Sequence, residues 1–187
     1  MAYKEGSLEK YLDDLAARLP APGGGSAAAM NGAMAAALVS MVVNFTLGKP
    51  KYAQYETELQ QILEKSEKLR KELLGLVDLD VTAYQSKNLR DALNVPFMAC
   101  RLCFEGIKLC PPLVKKGNVN LISDVAVAAV MFEAAFSCAN FNVEINLKLL
   151  GEKKLASEIR KELKQKEKML KKIRTQTEVK VGEIIGG

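Results

Sequence analysis

Histidine is missing altogether from these 187 residues, and that excludes a Ser-His-Asp relay and any imidazole-ligated metal. No GxxxxGK[ST] loop occurs, and the one Gly-rich run, Gly23 to Gly25, is not preceded by a strand pattern as a dinucleotide fingerprint requires. Cysteine is scarce. Cys100 and Cys103 form a CxxC, but Cys110 and Cys138 repeat no knuckle spacing and all four sit in apolar, helix-patterned surroundings. They are expected to be core thiols in a reducing cytoplasm, with no metal. No secretory pattern opens the chain, because Met1 to Lys10 is polar and no apolar core follows before Pro20. A nucleic-acid partner is not expected either. The excess of 27 basic over 22 acidic residues comes from the segment after Gly151, which mixes both signs and has no aromatic side chain.

Alternating strand patterns are also wanting, except in the short tail after Thr177. What remains is helix. The length suits a single domain over residues 1–187, and the spacing of apolar residues predicts an all-α bundle of five or six helices around a long Ala/Gly-rich central one. Ser7 can cap a first helix with Leu8, Tyr11, Leu12, Leu15 and Leu19 on one face, ended by Pro20. Gly23, Gly24 and Gly25 then offer backbone freedom, and Ser26 opens an uncharged run. Such a loop entering a helix N-terminus presents free N–H groups to a polar or anionic ligand. In the run itself Ala28, Gly32, Ala36, Ser40 and Asn44 recur every four residues, a small-residue ridge that lets neighbours approach closely. Ala27 to Leu47 is long enough to span a membrane, yet its alanine content, its asparagines and its amphipathic flanks favour a buried helix, with no membrane partner.

The third helix carries the chemistry. Its apolar stripe steps through Tyr55, Leu59, Ile62, Leu69, Leu73 and Leu76, interrupted by Ser66, and the next two places on that register are Asp80 and Tyr84. A carboxylate stands where a leucine is expected, and a buried carboxylate finds a partner or has its pKa raised. The competing reading ends this helix near Gly75 and leaves Asp78 and Asp80 in a loop. Pro96 suits the first turn of the next helix, Pro111 and Pro112 should end or kink it, and residues 115–118 read as a turn. The helix from Leu121 to Leu150 has a body of Val125, Val127, Val130, Met131, Phe132, Phe136 and Phe141. Glu133 and Glu144 suit a solvated face, whereas Asn140, Asn142 and Asn146 disfavour helix and are better placed lining a cavity. A charged last helix with Leu155, Ile159, Leu163, Leu170 and Ile173 as a narrow stripe suits the outside of the bundle or a second subunit.

The segments PAPGGGSAAAMNGAMAAALVSMVVNFTLGKPKY, DVTAY and KGNVNLISD…CANFNVEINL together resemble the cyclodeaminase/cyclohydrolase family, over residues 5 to 175 and in order. That resemblance implies an all-α cytoplasmic homodimer acting on tetrahydrofolate one-carbon derivatives. It would work as a formiminotetrahydrofolate cyclodeaminase or a methenyltetrahydrofolate cyclohydrolase, without metal or redox cofactor. It further implies Asp80 as general acid or base, with Asp124 as the alternative. Gly23, Gly24, Gly25 and Ser26 would hold the ligand through backbone N–H groups, and Tyr84, Asn118, Asn120, Ser123, Asn140 and Asn146 would contact it or orient water. Lys49, Lys51, Lys115 and Lys116 would meet the glutamate tail. One departure stands out: only eleven residues lie between Tyr84 and Pro96, where the family carries a longer segment, so part of the usual cavity wall is expected to be missing. A folate-binding or purely structural dimer without turnover is therefore the alternative.

Overall fold

A computed structural model describes residues 2–186, which are mostly helical with no strand among them. Six helices have nine residues or more: α1 (Leu8–Ala16), α2 (Gly24–Asn44), α3 (Glu56–Ser86), α4 (Leu89–Ile107), α6 (Ile122–Leu150) and α7 (Lys153–Ile185). The seven-residue α5 (Cys110–Lys116) is an addition: Pro111 and Pro112 end α4 as expected, but they occupy a first turn, where a missing N–H costs nothing, and so start a new helix. The tail after Thr177 also departs from expectation. It continues α7, burying Thr177 and Val181 one helical turn apart.

α2 is the axis of the bundle. It packs on α3 and α6 along its length and touches α4 and α5, and one contiguous apolar core surrounds it. The small-residue ridge allows this: a Cβ on Gly32 would come within 2.9 Å of the Cys103 sulfur and 3.2 Å of Leu73. Ser40 on the same ridge meets the hydroxyl of Ser66 at 2.8 Å, so the break in the α3 stripe is a polar pair across the α2–α3 contact. α2 and α6 are both long and apolar enough to cross a membrane; 61% of the α2 window is buried within the bundle, but only 39% of that around α6. The ion pairs Arg160–Glu144, Arg174–Glu133 and Arg101–Glu162 bind α7 along the outside of α6 and α4, so Glu133 and Glu144 face another helix rather than water alone.

Three expectations about packing are corrected. Pro96 lies inside α4, which begins at Leu89 behind an Asn88 cap. An internal proline leaves the carbonyl four residues back without its N–H, and that carbonyl, on Ala92, accepts instead from Asn146 Nδ2 at 2.6 Å. Leu8, Leu12 and Leu19 are exposed and only Tyr11 of that first face is buried; Val127, Val130 and Phe141 are exposed too, Phe141 at 78%. Cys138 is exposed, while Cys100, Cys103 and Cys110 are buried free thiols, with burial pushing Cys100 and Cys110 up to about 12.

Candidate functional site

α3 does not stop at Gly75. It runs to Ser86, so Asp80 stays on the register of the stripe and arrives against the first turn of α2. A helix N-terminus has N–H groups with no partner inside the helix, and here one of them, on Ser26, donates to Asp80 Oδ2 at 2.9 Å. Asp80 thus caps α2 from another helix. Ser26 is not the cap itself: Gly23 holds that position, and Ser26 is the third helical residue.

The glycines matter for a different reason from the one the sequence suggests. None of Gly23, Gly24 and Gly25 adopts a positive φ. Gly25 is needed because its Cα lies against the carboxylate, where a Cβ would stand 2.2 Å from Asp80 Oδ1. Gly24 has only Asn142 Nδ2 nearby, at 3.5 Å from a built Cβ, and Gly23 has open space.

A second line holds the same turn from behind. Ser26 Oγ donates to the Val77 carbonyl at 3.1 Å, which commits its one proton, so the Tyr11 hydroxyl 3.2 Å away is the donor to Ser26 Oγ. Tyr11 in turn meets the edge of Tyr3, whose backbone N–H is bound by Asp78 Oδ1 at 2.6 Å. Asp78 is therefore occupied by the N-terminal segment and is not part of the cavity. Burial raises the pKa of Asp80, the Ser26 N–H partly opposing it. Burial also raises that of Tyr11, with the charge of Asp80 adding to the rise.

In front of Asp80 lies a cavity of about 300 Å³. Gly23, Gly24 and Gly25 form its floor with Asp80, Tyr84 and Ala92 beside them, and Asn142, Ile145, Asn146 and Leu149 of α6 form the far wall. The volume fits one end of a drug-sized polar ligand rather than the whole of it. Its rim is apolar and open, with Tyr84 exposed at 58% and Ile145 at 60%. Tyr84 and Ala92 at its edge belong to α3 and α4, which are joined by the two-residue connection Lys87–Asn88. Two larger grooves, about 790 Å³ each, run along α6/α7 and α3/α4; both are open and rimmed by paired surface charges such as Arg160–Glu144 and Lys116–Glu58.

Of the residues singled out from sequence, Asp80, Gly23, Gly24, Gly25, Ser26, Tyr84 and Asn146 come together here. The others do not within one chain. Asn118 is buried at the opposite end of α2, spending its groups on Thr46 Oγ1, the Phe45 carbonyl and the Asn120 N–H. Asn120, Ser123, Asp124 and the four lysines share that end, about 30 Å away along a 21-residue helix. Lys116 pairs with Glu58, and Lys51 lies over the Tyr52 ring. Asn140 belongs to the side of α6 carrying Glu133 and Glu144, with its Oδ1 buried and unpartnered. Asn142, noted from its spacing but given no role, is the residue that faces Gly24; Tyr11 was legible only as a core aromatic.

Comparison with known proteins places the chain among relatives. Residues 7–87 and 85–165 match, as two segments, the family model described as Formiminotransferase-cyclodeaminase; they meet at the α3–α4 turn. A methenyltetrahydrofolate cyclohydrolase of Methylorubrum extorquens is 43% identical over 84% of this chain and 86% of its own. The formimidoyltransferase-cyclodeaminase of Rattus norvegicus is 29% identical over 77% of this chain, which spans only 31% of that protein. The crystal structure of formiminotetrahydrofolate cyclodeaminase from Thermotoga maritima superposes with a TM-score of 0.84 at 30% identity, covering 99% of this chain and 98% of that one.

Proposed function

Since this chain belongs to the formiminotransferase-cyclodeaminase family, we propose that it is a tetrahydrofolate one-carbon enzyme, and specifically a methenyltetrahydrofolate cyclohydrolase. The similarity to the Methylorubrum enzyme, over nearly the full length of both proteins, favours this reaction over the cyclodeaminase one. The observation that carries the reading is Asp80: a half-buried carboxylate with a raised pKa, held by the Ser26 N–H at 2.9 Å on one side of a polar cavity.

The chemistry asked of it is modest. In 5,10-methenyltetrahydrofolate the bridging carbon is cationic; water adds to it and gives one proton to the carboxylate, that proton passes to N5 as the carbon–N5 bond breaks, and the hydroxyl proton of the adduct leaves to solvent as the formyl C=O forms. One carboxylate serves both transfers, as a base first and an acid second. While ionised it also stabilises the cationic bridge across a site from which Gly25 excludes any side chain. Ser26 N–H fixes Oδ2, leaving Oδ1 to act. Asn142 and Asn146 supply amide groups to the polar edge of the ligand. Proton transfers complete the reaction, so no metal or redox cofactor is called for. The family reading also implies a cytoplasmic homodimer.

The test is direct. Purified protein should abolish the absorbance of 5,10-methenyltetrahydrofolate as 10-formyltetrahydrofolate forms, faster than the buffer reaction. Release of ammonia from 5-formiminotetrahydrofolate with no methenyl hydrolysis would instead select the cyclodeaminase, the reading favoured by the Thermotoga likeness. Thermal stabilisation by either folate without turnover would identify a binding protein.

A further inference from the structure

α1 contributes little to the core. Leu8 and Leu12 stand exposed along it, and of its nine residues Tyr11 alone is buried, at 3% exposure. That one side chain is also the one whose hydroxyl, 3.2 Å from Ser26 Oγ, reaches the turn beneath the cavity. Ser26 is thereby held from two helices. Its N–H meets Asp80 Oδ2 at 2.9 Å and its Oγ–H meets the Val77 carbonyl at 3.1 Å, two attachments one turn apart on α3. Two points on one helix leave the first turn of α2 free to rock about the line that joins them. Tyr11, coming from α1, removes that freedom.

The Tyr11 ring is anchored in turn. Tyr3 sets its own ring edge-on against it, with centroids 5.4 Å apart and planes at 78°. Tyr3 is itself tied by its N–H to Asp78 Oδ1 at 2.6 Å and by its hydroxyl to Asp14 Oδ2 at 2.9 Å. The hydroxyl of Tyr11 therefore has one polar partner and little room to turn aside from it.

We propose that Tyr11 is a positioning residue for the Asp80 chemistry: through Ser26 Oγ it fixes the direction of the Ser26 N–H, and so keeps Oδ2 of the carboxylate engaged and Oδ1 free to act. Its effect on rate depends on the proposed folate reading, whereas its effect on the Asp80 proton does not. The line of hydroxyls ends on a carbonyl, which has no proton to pass on, so Tyr11 braces the carboxylate and relays nothing to it. A carboxylate whose N–H partner drifts loses the interaction that favours its charged form, and burial then raises its pKa further. Few other groups share this control. α2 carries no ionisable side chain, and of the residues lining the cavity from α3, α4 and α6 only Tyr84 can titrate besides Asp80 itself. On the Tyr11 side, Asp78 is engaged by Tyr3, and Asp14 by Tyr3 and Lys10.

Tyr11→Phe keeps the ring and removes only the hydroxyl. Its kcat for methenyl hydrolysis should fall about tenfold with KM held within about twofold, and the acid limb of kcat/KM should move up by about half a pH unit. Ser26→Ala breaks the same link from the other side, so the double variant should be no worse than the poorer single one. Leu15→Ala removes packing from α1 but no hydrogen bond of Ser26; it should lower Tm and leave the limb in place. An unmoved limb in Tyr11→Phe, additive losses in the double variant, or an equal shift in Leu15→Ala would overturn the proposal. If wild type turns over neither folate, the functional reading falls, and the titration midpoint of the Asp80 carboxyl still decides the brace. That signal is assigned in carbon NMR by its loss in Asp80→Asn. A higher midpoint in Tyr11→Phe than in wild type sustains the brace, and an unchanged one overturns it.

Discussion

Replacing Gly25 by alanine isolates the contact on which the site is built. The added methyl carbon would stand 2.2 Å from Asp80 Oδ1, 2.8 Å from Cγ and 3.0 Å from Oδ2, so the carboxylate must move as a whole. It cannot move and keep the 2.9 Å bond to the Ser26 N–H. Losing a hydrogen bond to a charged group costs about 1.5 to 3 kcal/mol, and forced repacking adds to it, so a loss of at least about 3 kcal/mol is expected. For a chain of this size that is about 6 to 12 °C in Tm. Turnover should fall at least about a hundredfold, because the acid no longer faces the reacting carbon in the same geometry. Gly24→Ala and Gly23→Ala are the controls. Their methyls meet only Asn142 at 3.5 Å and open space, so Tm should change little. Differential scanning calorimetry with the methenyl hydrolysis assay reads both effects. A Gly25→Ala protein as stable and active as Gly23→Ala would refute the reasoning.

Two further outcomes follow from named contacts. Asn146→Ala strips the Ala92 carbonyl of the donor that replaces the N–H missing at Pro96, and should cost about 1 to 3 kcal/mol; in a Pro96→Ala background, where the helix regains its own N–H, urea titration should show most of that cost gone. The raised pKa of Asp80 sets the pH dependence of the rate: kcat/KM should fall with acid along a limb lying above the ordinary carboxylate value of 3.8, and a limb at or below 3.8 would exclude Asp80 as the base.

The fold was legible because its signals are local. Apolar residues at three- and four-residue spacing, prolines at the breaks and the ridge from Ala28 to Ser40 state the helices and the central position of α2 without reference to distant residues. Asp80 was legible for the same reason, as a misfit in a periodic stripe. What the pattern could not convey was long-range. Pro96 reads as a helix start unless Asn146, fifty residues later, is known to rescue the orphaned carbonyl. Likewise Tyr11 reads as a core residue until its hydroxyl is seen on Ser26. Phe141 and Val130 look like core because periodicity reports an apolar face without saying whether this chain or another covers it. Asn118 carries a family signature, yet its groups are spent on Phe45, Thr46 and Asn120, a structural duty that no spacing reveals.

Asp80→Asn separates the carboxylate's role as acid from its role as cap. Asparagine keeps an acceptor for the Ser26 N–H and removes the charge that burial disfavours. Because the folded-state pKa of Asp80 is raised, the wild-type carboxyl stabilises the fold at low pH and loses that advantage as pH rises through its folded value. The variant should therefore melt no lower than wild type at neutral pH, with the two converging below about pH 4. Its kcat for 5,10-methenyltetrahydrofolate hydrolysis should drop about a hundredfold to ten-thousandfold. A stable Asp80→Asn protein with wild-type kcat would contradict the account.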